Sequence, residues 1–121
     1  MVIADLKSIN YCGVSSKNEA QELMLDPTGY NLKISLTIGE KGKEGGDYFA
    51  VEVFNTQLVK SAQIVLASKS FIVCDDIDDI DDIEREIKYK VNSISGKDWE
   101  DVLNKLRYYF DWEYENLKFV S

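Results

Sequence analysis

A chain of 121 residues with 45% hydrophobic and 30% charged residues is sized and composed for one self-supporting globular domain, residues 1–121. It has no histidine, which excludes Ser-His-Asp and Cys-His catalysis and the commonest transition-metal ligand, and no apolar run nears the roughly 18 residues of a membrane span. The net charge of −8 is uneven, with eight acids and seven bases in residues 1–74 against fourteen and seven in residues 75–121, so the second half repels nucleic acid and favours a cationic partner.

Val2 to Ile9 is short and rich in β-branched residues, as a strand is, and it lacks the basic start and apolar stretch of a signal peptide. Tyr11 to Gly29 is polar, with Pro27 near its end, and reads as a long connection with room for a helical turn over Glu19–Leu25. Tyr30, Leu32, Ile34, Leu36 and Ile38 alternate with polar residues, which predicts a strand wet on one face only. Phe49, Val51 and Val53 alternate in the same way, and Gly39–Gly46 joins the two strands as a wide hairpin. That loop has four glycines but no P-loop spacing, and it links strand to strand, so a phosphate cradle is disfavoured. Thr56 is suited to cap a helix through Leu58, Val59, Ala62 and Val65, and Ser70–Cys74 reads as a short buried strand. Cys12 and Cys74 are too few and too far apart for a disulfide framework, which suits a reducing cytoplasm; Cys74 ends an apolar run like an inert core thiol.

Residues 74–86, CDDIDDIDDIERE, place six aspartates in eight positions. A calcium loop needs alternating acids, a glycine at the sixth position and a distal glutamate, whereas isoleucine fills every third position here. Ile80, Ile83, Ile87, Val91 and Ile94 form a helical stripe, with Ser95-Gly96 placed to close the helix. Aspartates at a helix start are favoured by about 0.3–1 kcal/mol each, which accounts for two or three of them. The surplus repels itself and so points to a partner-facing role. Asp98 with acidic Asp101 marks the next helix start, with Trp99, Val102, Leu103, Leu106 and Phe110 as its apolar stripe; Trp112–Glu115 alternates like a strand. Trp99 and Trp112 read as packing residues rather than stacking platforms. The expected fold is α+β: an antiparallel sheet of three to five strands, with two C-terminal helices and a shorter middle helix packed on one face. No buried carboxylate pair is apparent, so no enzyme, cofactor or metal site is expected.

Three stretches together resemble the immunity protein 8 family of bacterial polymorphic-toxin and contact-dependent inhibition systems. Leu36-Thr-Ile-Gly-Glu-Lys-Gly-Lys-Glu-Gly-Gly-Asp-Tyr-Phe49 is similar to that family's IGxKGxEGGDxF segment. Phe71-Ile-Val73 precedes an acidic helix start, and Ser95-Gly-Lys-Asp-Trp-Glu-Asp-Val102 through Leu106 to Trp112-Glu-Tyr114 matches a W-E-x-V…L…W-E-F/Y pattern. The resemblance implies neutralisation of a cognate toxin by direct binding, in the cytoplasm, and brings no catalytic residues with it. Many such toxins are nucleases with positive substrate channels, which an acidic face would complement. The expected partner-binding residues are Asp75, Asp76, Asp78, Asp79, Asp82 and Glu86, with Tyr89 as an aromatic anchor. The alternative reading is a non-enzymatic acidic adaptor or regulator that mimics nucleic acid to bind a basic protein.

Overall fold

A computed structural model of the chain describes residues 1–55, 70–73 and 78–114. In chain order the elements are β1 (Val2–Tyr11), α1 (Lys17–Leu23), β2 (Asn31–Glu40), β3 (Asp47–Asn55), β4 (Ser70–Val73), α2 (Ile80–Asn92), β5 (Ser95–Gly96), α3 (Trp99–Leu106) and β6 (Asp111–Trp112). The expected α+β class holds. Among the described residues the strands form one sheet in the order β4-β3-β2-β1-β5, with β6 also paired to β3. The expected helix from Thr56, and Cys74, lie outside the described residues.

The alternating strands pack as their sequences require. Leu32, Ile34, Leu36 and Ile38 of β2 stand opposite Val53, Val51, Phe49 and Asp47 of β3, and the apolar members of these pairs are buried. Ile80, Ile83, Ile87 and Val91 of α2, Val102 and Leu106 of α3, Phe110, and Ala20 of α1 with Met24 at its C-cap join them in one hydrophobic cluster. The helical stripe and the strand alternation therefore meet in the same core.

Two expectations are corrected. The sheet is not antiparallel throughout, because β3 and β4 run parallel, with Glu52 to Asn55 opposite Ser70 to Val73. A parallel neighbour needs a connection of about a dozen residues or more, which residues 56–69 provide. Nor does Gly96 close α2, whose C-cap is Ser93. Ser95-Gly96 is instead a two-residue strand against Ile3 and Val2. A Cβ at position 96 would lie 2.5 Å from the Asp101 carboxylate, so a larger residue there would have to displace that side chain. That carboxylate accepts the Lys97 N–H at 3.1 Å while Asp98 caps α3 by accepting the Asp101 N–H at 2.8 Å.

The glycine segment has a structural task at each end of its loop. A Cβ on Gly46 would sit 2.7 Å from the Ile38 carbonyl carbon and 2.9 Å from the Gly39 nitrogen, and one on Gly39 would strike the Gly45 carbonyl oxygen. The end of β2 and the entry to β3 pass there backbone to backbone, an approach that only glycine permits. Just beyond it the other motifs arrive. The Trp99 indole N–H donates to Asp47 at 3.0 Å, Trp112 pairs with Phe49, and the Glu113 N–H donates to the Tyr48 carbonyl at 2.9 Å. Two of the three segments that carry the family resemblance thus meet at the start of β3, while Phe71–Val73 pairs with its far end.

Candidate partner-binding surface

The acidic helix start is built against α1. Ser16 caps α1 by accepting the Glu19 N–H at 3.1 Å, and Glu19 returns the contact to the Ser15 N–H at 3.0 Å, an arrangement that fixes the helix's first turn. From α1, the Gln21 amide grips the entry to α2 with both ends. Its N–H donates to the Asp78 carbonyl at 2.5 Å and its oxygen accepts the Ile80 N–H at 2.8 Å. One turn earlier, the Lys17 ammonium lies 2.7 Å from Asp81 and 3.1 Å from Glu84. Glu84 also accepts the Tyr11 hydroxyl from the end of β1.

This Tyr11–Glu84–Lys17–Asp81 chain shifts the titration of its members. Hydrogen bonds to Asp81 and Glu84 raise Lys17, and the same ammonium lowers Asp81. Burial, then the Glu84 contact, pushes Tyr11 well above the ordinary tyrosine range. A group whose folded pKa is raised contributes stability that is complete below its unfolded pKa and lost as pH rises. For Tyr11 the loss begins near the unfolded tyrosine value of roughly 10. The melting temperature should therefore fall above about pH 10, and Tyr11→Phe should flatten that fall while lowering the neutral-pH value by the loss of the Glu84 hydrogen bond. An alkaline profile that is the same with and without the hydroxyl would contradict this assignment.

Two of the aspartates thus have work inside the fold. Asp79 caps α2 by accepting the Asp81 N–H at 2.9 Å, and Asp81 is tied to Lys17. Of the expected binding residues, Asp78 and Asp79 are exposed beside the helix start, and Asp82 pairs with Arg85 at 2.7 Å. Glu86 is exposed. Asp82, Glu86 and Tyr89 follow one another at steps of four and three, which puts them on one face of α2 away from buried Ile83 and Ile87. Tyr89 is 74% exposed. Its surroundings are not acidic, however: it lines a shallow depression with Arg85, Lys88, Asn92 and Ser93. The structure therefore brings five of the seven expected residues together along α2, with the negative charge gathered towards its start. Asp75 and Asp76 lie outside the described residues.

Sequence reasoning missed Tyr11, Lys17 and Gln21. Their contacts join residues 57 to 73 positions apart, and no local pattern announces them. Among the described residues no group of three or more cysteine, aspartate or glutamate side chains converges to hold a metal ion, and no helix is long and apolar enough to cross a membrane. In comparison with known proteins, the family model described as Immunity protein 8 matches residues 4–117. No curated protein and no solved structure matches the chain.

Proposed function

Since the chain belongs to the immunity protein 8 family, whose members are immunity proteins directed against toxins, we propose that it neutralises one cognate bacterial toxin domain by binding it directly, in the cytoplasm. The observation that carries this reading is the acidic outward face at the start of α2, held rigid by Gln21 and Lys17 of α1. Rigid negative charge of this kind complements a cationic surface and speeds encounter with it. A nuclease is the toxin class that fits best, because its substrate channel must attract phosphate and is therefore positive. The protein acts as a stoichiometric inhibitor and not as an enzyme: it has no histidine, and Tyr11, its most strongly perturbed side chain, belongs to a structural chain between α1, β1 and α2.

Co-expression with the C-terminal region of the toxin encoded beside its gene should restore growth of a sensitive cell, and the two proteins should co-purify. Unrelated toxins should be unaffected. Full protection without any detectable complex would show that the mechanism is not direct binding.

A further inference from the structure

The outer edge of β1 is closed along its first half only. There the Ala4 N–H donates to the Ile94 carbonyl at 2.9 Å, the Leu6 N–H donates to Asn92 at 3.1 Å, and Val2 and Ile3 pair with β5. The register with β2 then shifts between Leu6 and Ser8, which exchanges the residues that face outward. Beyond the shift the Cys12 N–H donates to the Lys33 carbonyl at 2.9 Å, and Asn10 stands opposite Ser35 in the same register. These residues turn to β2, and in an antiparallel pair the alternate ones turn away. The N–H and C=O groups of Ile9 and Tyr11 therefore point off the sheet, and among the described residues none pairs with them there. No proline or charged side chain blunts the stretch Ser8-Ile9-Asn10-Tyr11, a protection that natural sheet edges commonly carry.

The open edge also borders a cleft. Ile9 and Tyr11 line it together with Val14, Ser15, Lys17 and Glu84, and its volume is about 230 Å³. Room for a side chain thus lies directly beside unpaired backbone. Glu84 takes the Tyr11 hydroxyl and leaves the Tyr11 backbone free. The Lys17 ammonium contacts both Glu84 and Asp81, which joins the cleft to the acidic start of α2. Two carboxylates against one ammonium leave this rim negative. An extended segment pairs with such an edge through its own main chain, while its alternate side chains enter neighbouring pockets. Charge selects the segment. A second copy would set its own Asp81 and Glu84 against these, with a charge of −8 on each chain. Nucleic acid has no peptide groups to continue a ladder. An extended segment bearing lysine or arginine meets neither obstacle.

We infer that Ile9 and Tyr11 form a strand-addition site, at which an extended basic segment of the toxin becomes the next neighbour of β1. This rests on the proposed function and extends its interface from α2 to the sheet edge. The test is amide hydrogen exchange on the full chain, alone and with the purified cognate toxin domain. In the free protein the Ile9 and Tyr11 amides should exchange rapidly, while those of Asn10 and Cys12, inside the ladder, exchange slowly. Saturating toxin should slow Ile9 and Tyr11 by about tenfold or more. Ile9→Pro removes one outward N–H at an edge position of the kind that tolerates proline. It should weaken toxin binding about tenfold or more, since the partner's carbonyl loses its donor. Ile9 also packs against the core, so the variant is read with its melting temperature, and the exchange result decides without it. A complex in which both amides exchange as fast as before would overturn the site while leaving the immunity reading intact. Strong protection already present in the free protein would overturn it too, and protection that grew with protein concentration would give the edge to a second copy. Absence of wild-type binding would remove the functional reading and this site together.

Discussion

Gly46→Ala is expected to destabilise the protein by roughly 3 kcal/mol, on the scale of strained or overpacked sites. The new methyl group would meet the Ile38 carbonyl and the Gly39 nitrogen. All of these are backbone atoms inside the β2–β3 ladder, so none can swing aside without breaking it. Gly39→Ala should behave alike, because its Cβ would strike the Gly45 carbonyl. Gly42→Ala supplies the contrast. Its φ of +87° is strained for an L-residue, but a Cβ there meets nothing within 4 Å, so the cost should be only about 1–2 kcal/mol. Urea unfolding with an unchanged m-value would read out all three. If Gly46→Ala unfolded at the wild-type midpoint, the close crossing at the hairpin base would not exist as described. Gly39 and Gly46 thus answer to backbone crowding and serve the fold.

The second large effect is on association. In the triple variant Asp78→Asn, Asp82→Asn, Glu86→Gln, three outward charges are neutralised, while Asp79 and Asp81 are retained because they cap and tie down α2. Losing the exposed Asp82–Arg85 pair should matter little to stability. Association with the cognate toxin should slow about tenfold or more at low ionic strength, the scale that electrostatic steering allows. The deficit should vanish near 0.5 M salt, where the Debye length has shrunk to a few ångströms. Dissociation should hardly move. Identical association at low and high salt, in a variant that melts normally, would return these carboxylates to the role of a helix start alone.

Much of the architecture was legible because its periods are local. Leu32 to Ile38 announces a half-buried strand within seven residues, and Ile80 to Val91 announces a helix face within twelve. Asp98 and Asp101 could be read as a cap from their spacing. The parallel β3–β4 pair was not legible, since a short apolar run such as Ser70–Val73 carries no sign of direction. The strands Ser95–Gly96 and Asp111–Trp112 are too short to show any period, and the glycine before Lys97 looks like a helix stop until Asp101 is seen folded against it. The candidate surface divides in the same way. That Asp82, Glu86 and Tyr89 face outward follows from helical spacing. That Asp79 and Asp81 are partly spent within the fold depends on Lys17 and on cap geometry.

The position of β1 in the sheet bears on when the protein becomes functional. This strand pairs with β2 on one side, but its other edge is completed only from far along the chain. Leu6 gives its N–H to Asn92 at 3.1 Å, Ala4 gives its own to Ile94 at 2.9 Å, and Val2 and Ile3 take β5 as partner. During synthesis, then, the first strand to emerge stays open along that edge until residues beyond 90 have left the ribosome. Closing contacts this distant in sequence is slow compared with local pairing, and an open edge meanwhile invites pairing with another chain. Protection should therefore lag behind synthesis of β1, so a cell meeting its toxin draws on protein folded earlier rather than on chains still being made.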